Sequence, residues 1–257
     1  MKKFKDAWQR IKYNFSNPMI FVPPVFIKIL QKVKNKRAGI YYPFSNCNFN
    51  REDIRVVFDV GANIGDVALK AAKSFPNADI YAFEPVKKTY QALCENTKDY
   101  GQRIKTHDFG FLNVSDGLDI NITSFHGANS ILAQSSNYRN IYPQIEEINT
   151  EKIEVVTLDS FMANSNIDKI DIIKIDVEGV EKEVIEGGME TFKNKVDNVF
   201  IELSFLRRNR NSSYWIEICR LLYDLGFVLV NIYNIGRLTK DNAEYVLDMD
   251  VFFSKQR

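Results

Sequence analysis

The sequence predicts a doubly wound α/β fold, in which helices cover both faces of a mostly parallel sheet. Three observations support this prediction. Apolar runs typical of buried strands alternate with helical stretches, a glycine-rich turn follows the first of these runs, and single acids stand at the ends of two others. A parallel strand that is buried on both faces forms such a continuous apolar run.

Length and composition fit one globular domain with a short appendage: 257 residues, 45% of them hydrophobic and 26% charged. We divide the chain into an N-terminal arm, residues 1–50, and a globular domain, residues 51–257. The three cysteines form no CxxC or Cys/His cluster, which predicts neither a disulfide framework nor a zinc site and favours a reducing, cytoplasmic location. His107 and His126 are the only histidines, so a Ser-His-Asp triad is not expected.

The first half of the domain begins with regular alternation. Strands are predicted at residues 56–58, 79–83 and 103–108, and helices at residues 66–74 and 87–100. Residues 118–124 then alternate like an exposed strand. Residues 127–150 are polar without a clear period, which is typical of a functional lid or an irregular loop.

After this polar stretch the alternation resumes. Strands are predicted at residues 153–158, 170–176 and 198–204, and helices at residues 159–163, 179–193 and 213–225, with Gly226 ending the last helix. Residues 227–233 and 246–254 are predicted to form an antiparallel pair at one edge of the sheet.

The glycine-rich turn, DVGANIG at residues 59–65, favours a nucleoside cofactor without phosphates. It lacks the middle glycine of the G-x-G-x-x-G pattern, and Asp66 in the first helical turn would repel a pyrophosphate. S-adenosylmethionine carries a positive sulfonium and ammonium and no phosphate, so Asp59 and Asp66 are compatible with it. A plain tight turn is the alternative interpretation.

An acid at the end of the second strand, Glu84, strengthens the cofactor hypothesis. A carboxylate in this position can accept hydrogen bonds from both ribose hydroxyls. The first strand, the glycine-rich turn, the helix and the second strand with its terminal acid together predict one half of a nucleoside-binding α/β fold.

A second motif, IDIIKIDVEGVE at residues 170–181, places acids at the ligand edge of the sheet. Asp176 and Glu178 follow a buried apolar strand, and Gly179 allows a tight turn. Lys174 shares a strand face with Asp176 at a spacing of two residues, so a charge pair is expected there. The alternative for Glu178 and Glu181 is capping of the next helix.

Together the two motifs resemble the FkbM family of S-adenosylmethionine-dependent methyltransferases. The matching segments are FDVGANIG at 58–65, FEP at 83–85, LDS at 158–160 and IKIDVEGVE at 173–181, and the resemblance covers about residues 56–202. It implies a class I methyltransferase sheet of seven strands, mostly parallel with one antiparallel edge strand. It also implies O-methylation of a hydroxyl on a sugar, a glycan or a secondary metabolite.

The resemblance implies a set of cofactor-binding residues at the first motif. These are Asp59, Gly61, Ala62, Asn63, Gly65, Glu84 and Pro85. Asp108 is added because its position at a strand end would bring it near the adenine.

Asp176 and Glu178 are the predicted catalytic residues. A sugar hydroxyl must lose its proton to attack, and Asp176 is the preferred general base, with Glu178, Glu202 or His126 as alternatives. Mg²⁺ held by the first two acids is a further alternative, but a third ligand is not evident, so no metal ligand is assigned. Residues 126–130 with Tyr138 and Tyr142 could line a sugar-binding lid or simply face solvent.

The N-terminal arm is strongly basic. Residues 1–40 contain ten lysines and arginines and one acid, which gives a net charge of +9. The rest of the chain contains 24 basic and 32 acidic residues, which gives a net charge of −8. The apolar stretch at residues 18–27 is too short and too proline-rich to span a bilayer. We expect the arm to pack on the domain; peripheral docking on anionic lipid is the alternative.

Two other functional classes stay open at the level of sequence. The chain could be a nucleoside-cofactor binding module without turnover or a nucleotide-dependent α/β enzyme. We expect a small-molecule or glycan acceptor and no nucleic acid, because the acidic body would repel phosphates. The sequence does not predict an oligomeric state.

Overall fold

The computed structural model of this protein describes Phe44 and residues 50–206, 211–212, 214–240 and 243–256. The strands are β1 Val56–Val60, β2 Asp79–Phe83, β3 Ile104–His107, β4 Gly110–Phe111, β5 Asp116–Thr123, β6 Glu147–Val156, β7 Ile172–Ile175, β8 Asn198–Ser204, β9 Phe227–Lys240 and β10 Ala243–Lys255. The α-helices are α1 Asp66–Ser74, α2 Lys87–Thr97, α3 Ser136–Ile141, α4 Leu158–Ala163, α5 Glu181–Glu186, α6 Met189–Asn194 and α7 Trp215–Asp224. Short 3-10 turns lie at Lys98–Arg103 and His126–Ala128.

Seven strands form the main sheet in the order β3-β2-β1-β7-β8-β10-β9. Every neighbouring pair from β3 to β8 is parallel, whereas β10 pairs antiparallel with both β8 and β9. The predicted fold class is therefore confirmed, and the antiparallel strand lies one place in from the edge. Strand order reverses between β1 and β7, so the crevice beyond their carboxyl ends is the expected ligand site.

Apolar layers cover both faces of the main sheet because successive side chains of a strand point to opposite faces. Val57 and Phe58 of β1 are both fully buried, and they belong to different apolar clusters. Burial on both sides explains why the parallel strands are apolar without alternation.

A second sheet, with the order β4-β6-β5, occupies part of the region predicted to be polar and irregular. The absence of regular structure predicted for residues 127–150 was wrong in part. Helix α3 lies within it, with the Ser135 hydroxyl accepting from the Tyr138 amide at 3.2 Å, and β6 begins at Glu147. Both elements are largely exposed and polar, which hides their periodicity.

Two further boundaries differ from the predictions. The helix predicted at 179–193 is divided between Glu186 and Met189. The division falls at Gly187, where a Cβ would lie 2.0 Å from the Leu112 carbonyl oxygen, so the close approach of that segment requires glycine. The final strands are longer than predicted and leave only residues 241 and 242 between them. Gly226, with φ of 86°, follows the last helix as predicted.

Phe44 belongs to the predicted arm of residues 1–50, yet it is buried in the domain. Its ring centroid lies 5.1 Å from that of Phe75 and 6.4 Å from that of Phe200. The basic residues of the arm and its apolar stretch lie outside the described residues. In the part of the chain that is described, no helix combines the length and apolar character needed to cross a bilayer.

Candidate functional site

The turn after β1 is shaped by three residues with left-handed backbone. Gly61, Asn63 and Gly65 have φ of 75°, 52° and 94°. A Cβ on Gly61 would lie 2.0 Å from the Asp176 carbonyl oxygen, so this position also needs glycine for close approach. The two motifs recognised in the sequence are therefore in direct backbone contact.

The same turn is fixed to the end of β2. The amides of Gly61 and Ala62 both donate to the Phe83 carbonyl oxygen, at 3.1 and 2.9 Å. A Cβ on Gly65 would lie 2.8 Å from Leu93 in α2. Gly65 thus allows α1 and α2 to pack closely.

Glu84 closes the turn from the β2 side. Its Oε2 accepts from the Asn63 amide and its Oε1 from the Val86 amide, each at 3.0 Å. Burial raises the pKa of Glu84 to about 7, although these two amides favour the ionised form. Each carboxylate oxygen keeps a second acceptor position, so the side chain can still bind two ligand hydroxyls.

A first cavity of about 380 Å³ lies over this turn. Its wall combines the turn with the carboxyl end of β7, the inner part of β5 and the 3-10 turn at His126–Ala128. The side-chain oxygen of Asn63 is buried there without a hydrogen-bond partner among the described residues. A buried acceptor of this kind is suited to a donor group on a ligand.

A buried charge pair joins the two motifs beneath the cavity. Lys174 donates to the Gly61 carbonyl oxygen at 2.8 Å, and its Nζ lies 3.3 Å from Asp59 Oδ1 and 3.4 Å from Asp176 Oδ2. Burial alone would lower the pKa of Lys174, but the charges of Asp176 and Asp59 raise it. Burial raises the pKa of Asp59, an effect that Lys174 opposes.

Three carboxylates meet beyond the end of β7. Asp176, Glu178 and Glu202 each offer one oxygen, and these oxygens all lie within 4.8 Å of one another. Burial, followed by the charges of its acidic neighbours, raises the pKa of Glu202 well above its usual range. Oxygen atoms at such spacings could also hold a divalent cation, for which Glu202 would be the third ligand that the sequence did not make evident.

The loop that carries Asp176 and Glu178 is held by hydrogen bonds. Oε1 of the buried Glu181 accepts from the amides of Val177 and Gly179 at 3.3 and 2.9 Å. The Ser130 hydroxyl donates to the Glu178 carbonyl oxygen at 2.8 Å. Glu178 itself has φ of 60°, an uncommon conformation for a residue with a side chain. Glu181 therefore holds the loop before α5 instead of capping that helix, which has no side-chain cap, and Glu178 lines both cavities.

A second cavity, of about 200 Å³, adjoins the first. Phe125, Gly127 and Glu178 line both cavities. The second cavity also contains Tyr138 and Tyr142, whose ring centroids are 5.0 Å apart. Burial and the charge of Asp248 raise the pKa of Tyr142 to about 12.

The predicted site residues are distributed unevenly around these cavities. Those that line the first cavity are Gly61, Ala62, Asn63, Glu84, Pro85, Asp176 and Glu178. Asp59 and Gly65 lie behind the wall, the first paired with Lys174 and the second packed against α2. Asp108 is exposed after β3 and lines neither of the two cavities.

Sequence reasoning missed two acids near the site, Asp248 and Asp250, and named Glu202 only as an alternative base. Asp248 lines the second cavity with Glu202, and Asp250 is close enough to both to affect their electrostatics. Burial raises the pKa of Asp250 to about 7. The available signal was an acid within an otherwise apolar strand, which is a costly placement without a functional or structural reason.

Replacing Gly61 by alanine is expected to lower the free energy of unfolding by about 2 to 4 kcal/mol. The new methyl group would clash with the Asp176 carbonyl oxygen, and φ of 75° is strained for alanine. Urea denaturation measures the change. Gly117→Ala is the matched control, because its nearest neighbour would be 3.9 Å away. Equal stability of the two variants would contradict the close contact between the motifs.

Comparisons with known proteins show which family the chain matches. The family model of the methyltransferase FkbM domain matches residues 59–229. The chain is 23% identical over 193 residues to the 2-O-methyltransferase NoeI of Sinorhizobium fredii, covering 70% of this chain and 79% of that protein.

Two further comparisons extend the range of similar proteins. The chain is 28% identical over 154 residues to the hexuronic acid methyltransferase AglP of Haloferax volcanii, covering 59% of this chain and 57% of that protein. The solved structure of precorrin-6y C5,15-methyltransferase from Geobacter metallireducens is similar with a TM-score of 0.43 and 11% identity, covering 80% of this chain and 83% of that one.

Proposed function

Because the chain belongs to the FkbM methyltransferase family and is an S-adenosylmethionine-dependent methyltransferase, we propose that it methylates a hydroxyl group of a sugar or a secondary metabolite. The specificity for oxygen is supported by relatives named as a 2-O-methyltransferase and a hexuronic acid methyltransferase. Activity on a small molecule or a glycan is part of the same proposal.

One observation carries the proposal at the level of the site. The carboxylates of Asp176, Glu178 and Glu202 lie within 4.8 Å of one another, and Glu178 lines both cavities. An acceptor hydroxyl in the second cavity would therefore meet proton acceptors at the border of the first. This is the arrangement that alkylation of a weakly acidic hydroxyl requires.

The residues around the first cavity fit S-adenosylmethionine. This cofactor supplies a methyl group on a positively charged sulfur. Glu84 would accept the two ribose hydroxyls, and the buried Asn63 Oδ1 offers another acceptor. Asp66 and Asp176 in the wall are compatible with a cation and would repel a phosphate. We include Asp59 and Gly65 as residues that support the turn from behind.

In the proposed mechanism Asp176 accepts the proton of the acceptor hydroxyl at a carboxylate oxygen. The Nζ of Lys174 lies 3.4 Å from Asp176 Oδ2 and fixes the position of the Asp176 carboxylate. Contacts with Asp59 and with the Gly61 carbonyl oxygen fix Lys174 itself. Glu178 and Glu202 would orient the hydroxyl by accepting hydrogen bonds. Binding of the cofactor and the acceptor in adjoining cavities would align the reacting atoms.

Replacing Glu84 by glutamine is expected to weaken S-adenosylmethionine binding by about 10- to 100-fold. The amide could not accept from both the Asn63 and Val86 backbone groups, and it loses the charge that strengthens bonds to the ribose. Isothermal titration calorimetry with S-adenosylmethionine and S-adenosylhomocysteine measures the effect. NAD titrated in parallel should not bind, and tight NAD binding would contradict the proposed function.

The raised pKa of Glu84 gives the same experiment a pH dependence. The ribose hydroxyls bind the ionised carboxylate, whose pKa is about 7, so affinity is expected to fall as pH drops below that value. From about pH 8 to about pH 6 the decrease should approach tenfold in the wild type. The Glu84→Gln variant should lose this component, because glutamine does not titrate in this range. The cofactor amino group titrates equally in both proteins, so the difference between them reports Glu84. An unchanged profile would assign the titration to another group.

A further inference from the structure

Phe125 lies at the border of the two cavities and is exposed. It lines both of them, as Gly127 and Glu178 also do. The residue is 55% exposed, and it is the only phenylalanine of the described residues that is neither buried nor half-buried. Burial of apolar surface is favourable, so a ring in this position can gain free energy from a ligand that covers it.

Hydrogen bonds fix the backbone at Phe125 to the end of β5. The Phe125 carbonyl oxygen accepts from the Thr123 hydroxyl at 2.7 Å and from the Ala128 amide at 2.8 Å. The Thr123 amide in turn donates to the side-chain oxygen of Asn129 at 2.9 Å. The short turn that carries the ring is therefore built by its own residues.

The same turn also contacts both motifs of the site. A Cβ on Gly127 would lie 2.7 Å from the Phe125 ring and 3.5 Å from Asn63 Nδ2, so the turn packs closely against the cofactor-binding segment. Farther along, the Ser130 hydroxyl donates to the Glu178 carbonyl oxygen at 2.8 Å. Phe125 is thus held at a defined place relative to the cofactor turn and to the carboxylates.

Two tyrosines extend the aromatic surface into the second cavity. Tyr138 and Tyr142 line this cavity together with Phe125, and their ring centroids are 5.0 Å apart. Aromatic rings pack well against flat apolar surfaces, such as the C–H face of a pyranose or the face of another aromatic ring. An open-chain polyol has no such face. Packing of this kind does not depend on the charge of the cavity.

We propose that Phe125 is a specificity-determining residue, and that the acceptor presents the flat apolar face of a ring to it while a hydroxyl of that ring reaches the carboxylates. This inference rests on the proposed methylation of a hydroxyl and specifies the acceptor. It predicts a cyclic acceptor rather than an open-chain polyol. A pyranose and a phenolic ring share this flat face, and the test separates them.

The test compares three probes: methyl β-glucoside, phenol and the open-chain polyol glucitol. Calorimetry first establishes the concentration of S-adenosylhomocysteine that saturates each protein, because Phe125 also lines the first cavity. Saturation-transfer NMR then measures probe binding to that complex. We expect the glucoside or phenol to bind at least about tenfold more tightly than glucitol. Methyl transfer from S-adenosylmethionine to each probe is measured separately.

Variants at Phe125 distinguish a ring face from an apolar filler. Phe125→Ala should weaken ring-probe binding by about tenfold or more, and Phe125→Leu by about two- to tenfold. Phe125→Tyr and Phe125→Trp should retain it within about threefold. Tyr223→Ala is the matched control, because Tyr223 is an aromatic residue that is 54% exposed and lines neither cavity. Thermal melting checks that each variant is folded.

Gly127→Ala changes the position of the ring without removing it. The new methyl group would lie 2.7 Å from the Phe125 ring and displace it, so ring-probe binding should weaken. In the double variant Gly127→Ala/Phe125→Ala the glycine substitution should add little further loss, because the group on which it acts is absent. Full additivity of the two changes would count against the ring as the recognising group.

Equal binding of the ring probes and glucitol, or no binding of either ring probe to the wild type, would overturn the proposal. So would ring-probe binding that is unchanged in Phe125→Ala or fully retained in Phe125→Leu. Binding that requires an aromatic residue at this position, without methyl transfer to either ring probe, would support the proposal and count only against O-methylation of such acceptors. Methyl transfer that is unchanged in Phe125→Ala would support O-methylation and refute the role of the ring.

Discussion

Replacing Asp176 by asparagine is expected to lower kcat by roughly two to four orders of magnitude. Asparagine has a similar shape but cannot accept a proton at neutral pH. Asp176 lies at the border of the first cavity, where its side chain is 39% exposed and its Oδ2 is 3.4 Å from Lys174. A general base in this position acts on the chemical step, so cofactor affinity should change far less than kcat.

Chemical rescue separates a base from a residue that only positions another group. A small carboxylate such as formate, added to Asp176→Asn, should restore part of kcat if Asp176 accepts the proton, whereas the loss of a positioning contact would not be rescued. Asp53→Asn serves as the control for net charge, because Asp53 is exposed and distant from the carboxyl edge of the sheet. Full turnover by Asp176→Asn would refute the assignment and direct the search to Glu178 and Glu202.

Replacing Lys174 by methionine is expected to lower the free energy of unfolding by about 3 kcal/mol or more. The change leaves Asp59, which is fully buried, without its counter-charge. It also removes the hydrogen bond to the Gly61 carbonyl oxygen. Both motifs of the site depend on this lysine, so cofactor binding should weaken together with stability.

The sign of the pH dependence follows from Asp59. In Lys174→Met the aspartate must be protonated to stay buried, so its folded pKa is raised above the unfolded value. Stability of the variant should therefore fall as pH rises from about 4 towards the raised folded pKa. Denaturant titrations across that range measure the slope.

The double variant Asp59→Asn/Lys174→Met is the matched control for charge. It removes both members of the buried pair and should recover part of the stability that the single lysine variant loses, because no isolated charge remains. If the single variant is as stable as the wild type at neutral pH, or if the double variant is the less stable of the two, the pair does not stabilise the fold as argued.

Local patterns made the nucleotide-binding half of the fold predictable. The strand, turn and helix around Gly61, and the acid Glu84 after the next strand, depend on residues close in sequence. Buried parallel strands are apolar throughout, so β1, β2 and β7 were recognisable from composition alone. The Lys174 and Asp176 pair was also predictable, because strand geometry places residues two apart on one face.

The acidic second cavity was not predictable in the same way. It depends on β10 lying between β8 and β9, which brings Asp248 and Glu202 from distant segments to the same space. A hairpin pattern shows that two strands pair, but it does not show which of them faces the rest of the sheet. The exposed elements α3 and β6 were missed because polar surfaces give weak periodicity.

The contact between Lys174 and Gly61 joins residues that are 113 positions apart. The first half of the main sheet cannot satisfy its buried charge alone, because β1 contains Asp59 and its lysine partner comes from β7. A fragment that ended before β7 would bury a lone carboxylate or leave that part of its core open to water. The halves are therefore coupled in folding, and this domain should unfold as one cooperative unit rather than as two separable mononucleotide-binding halves.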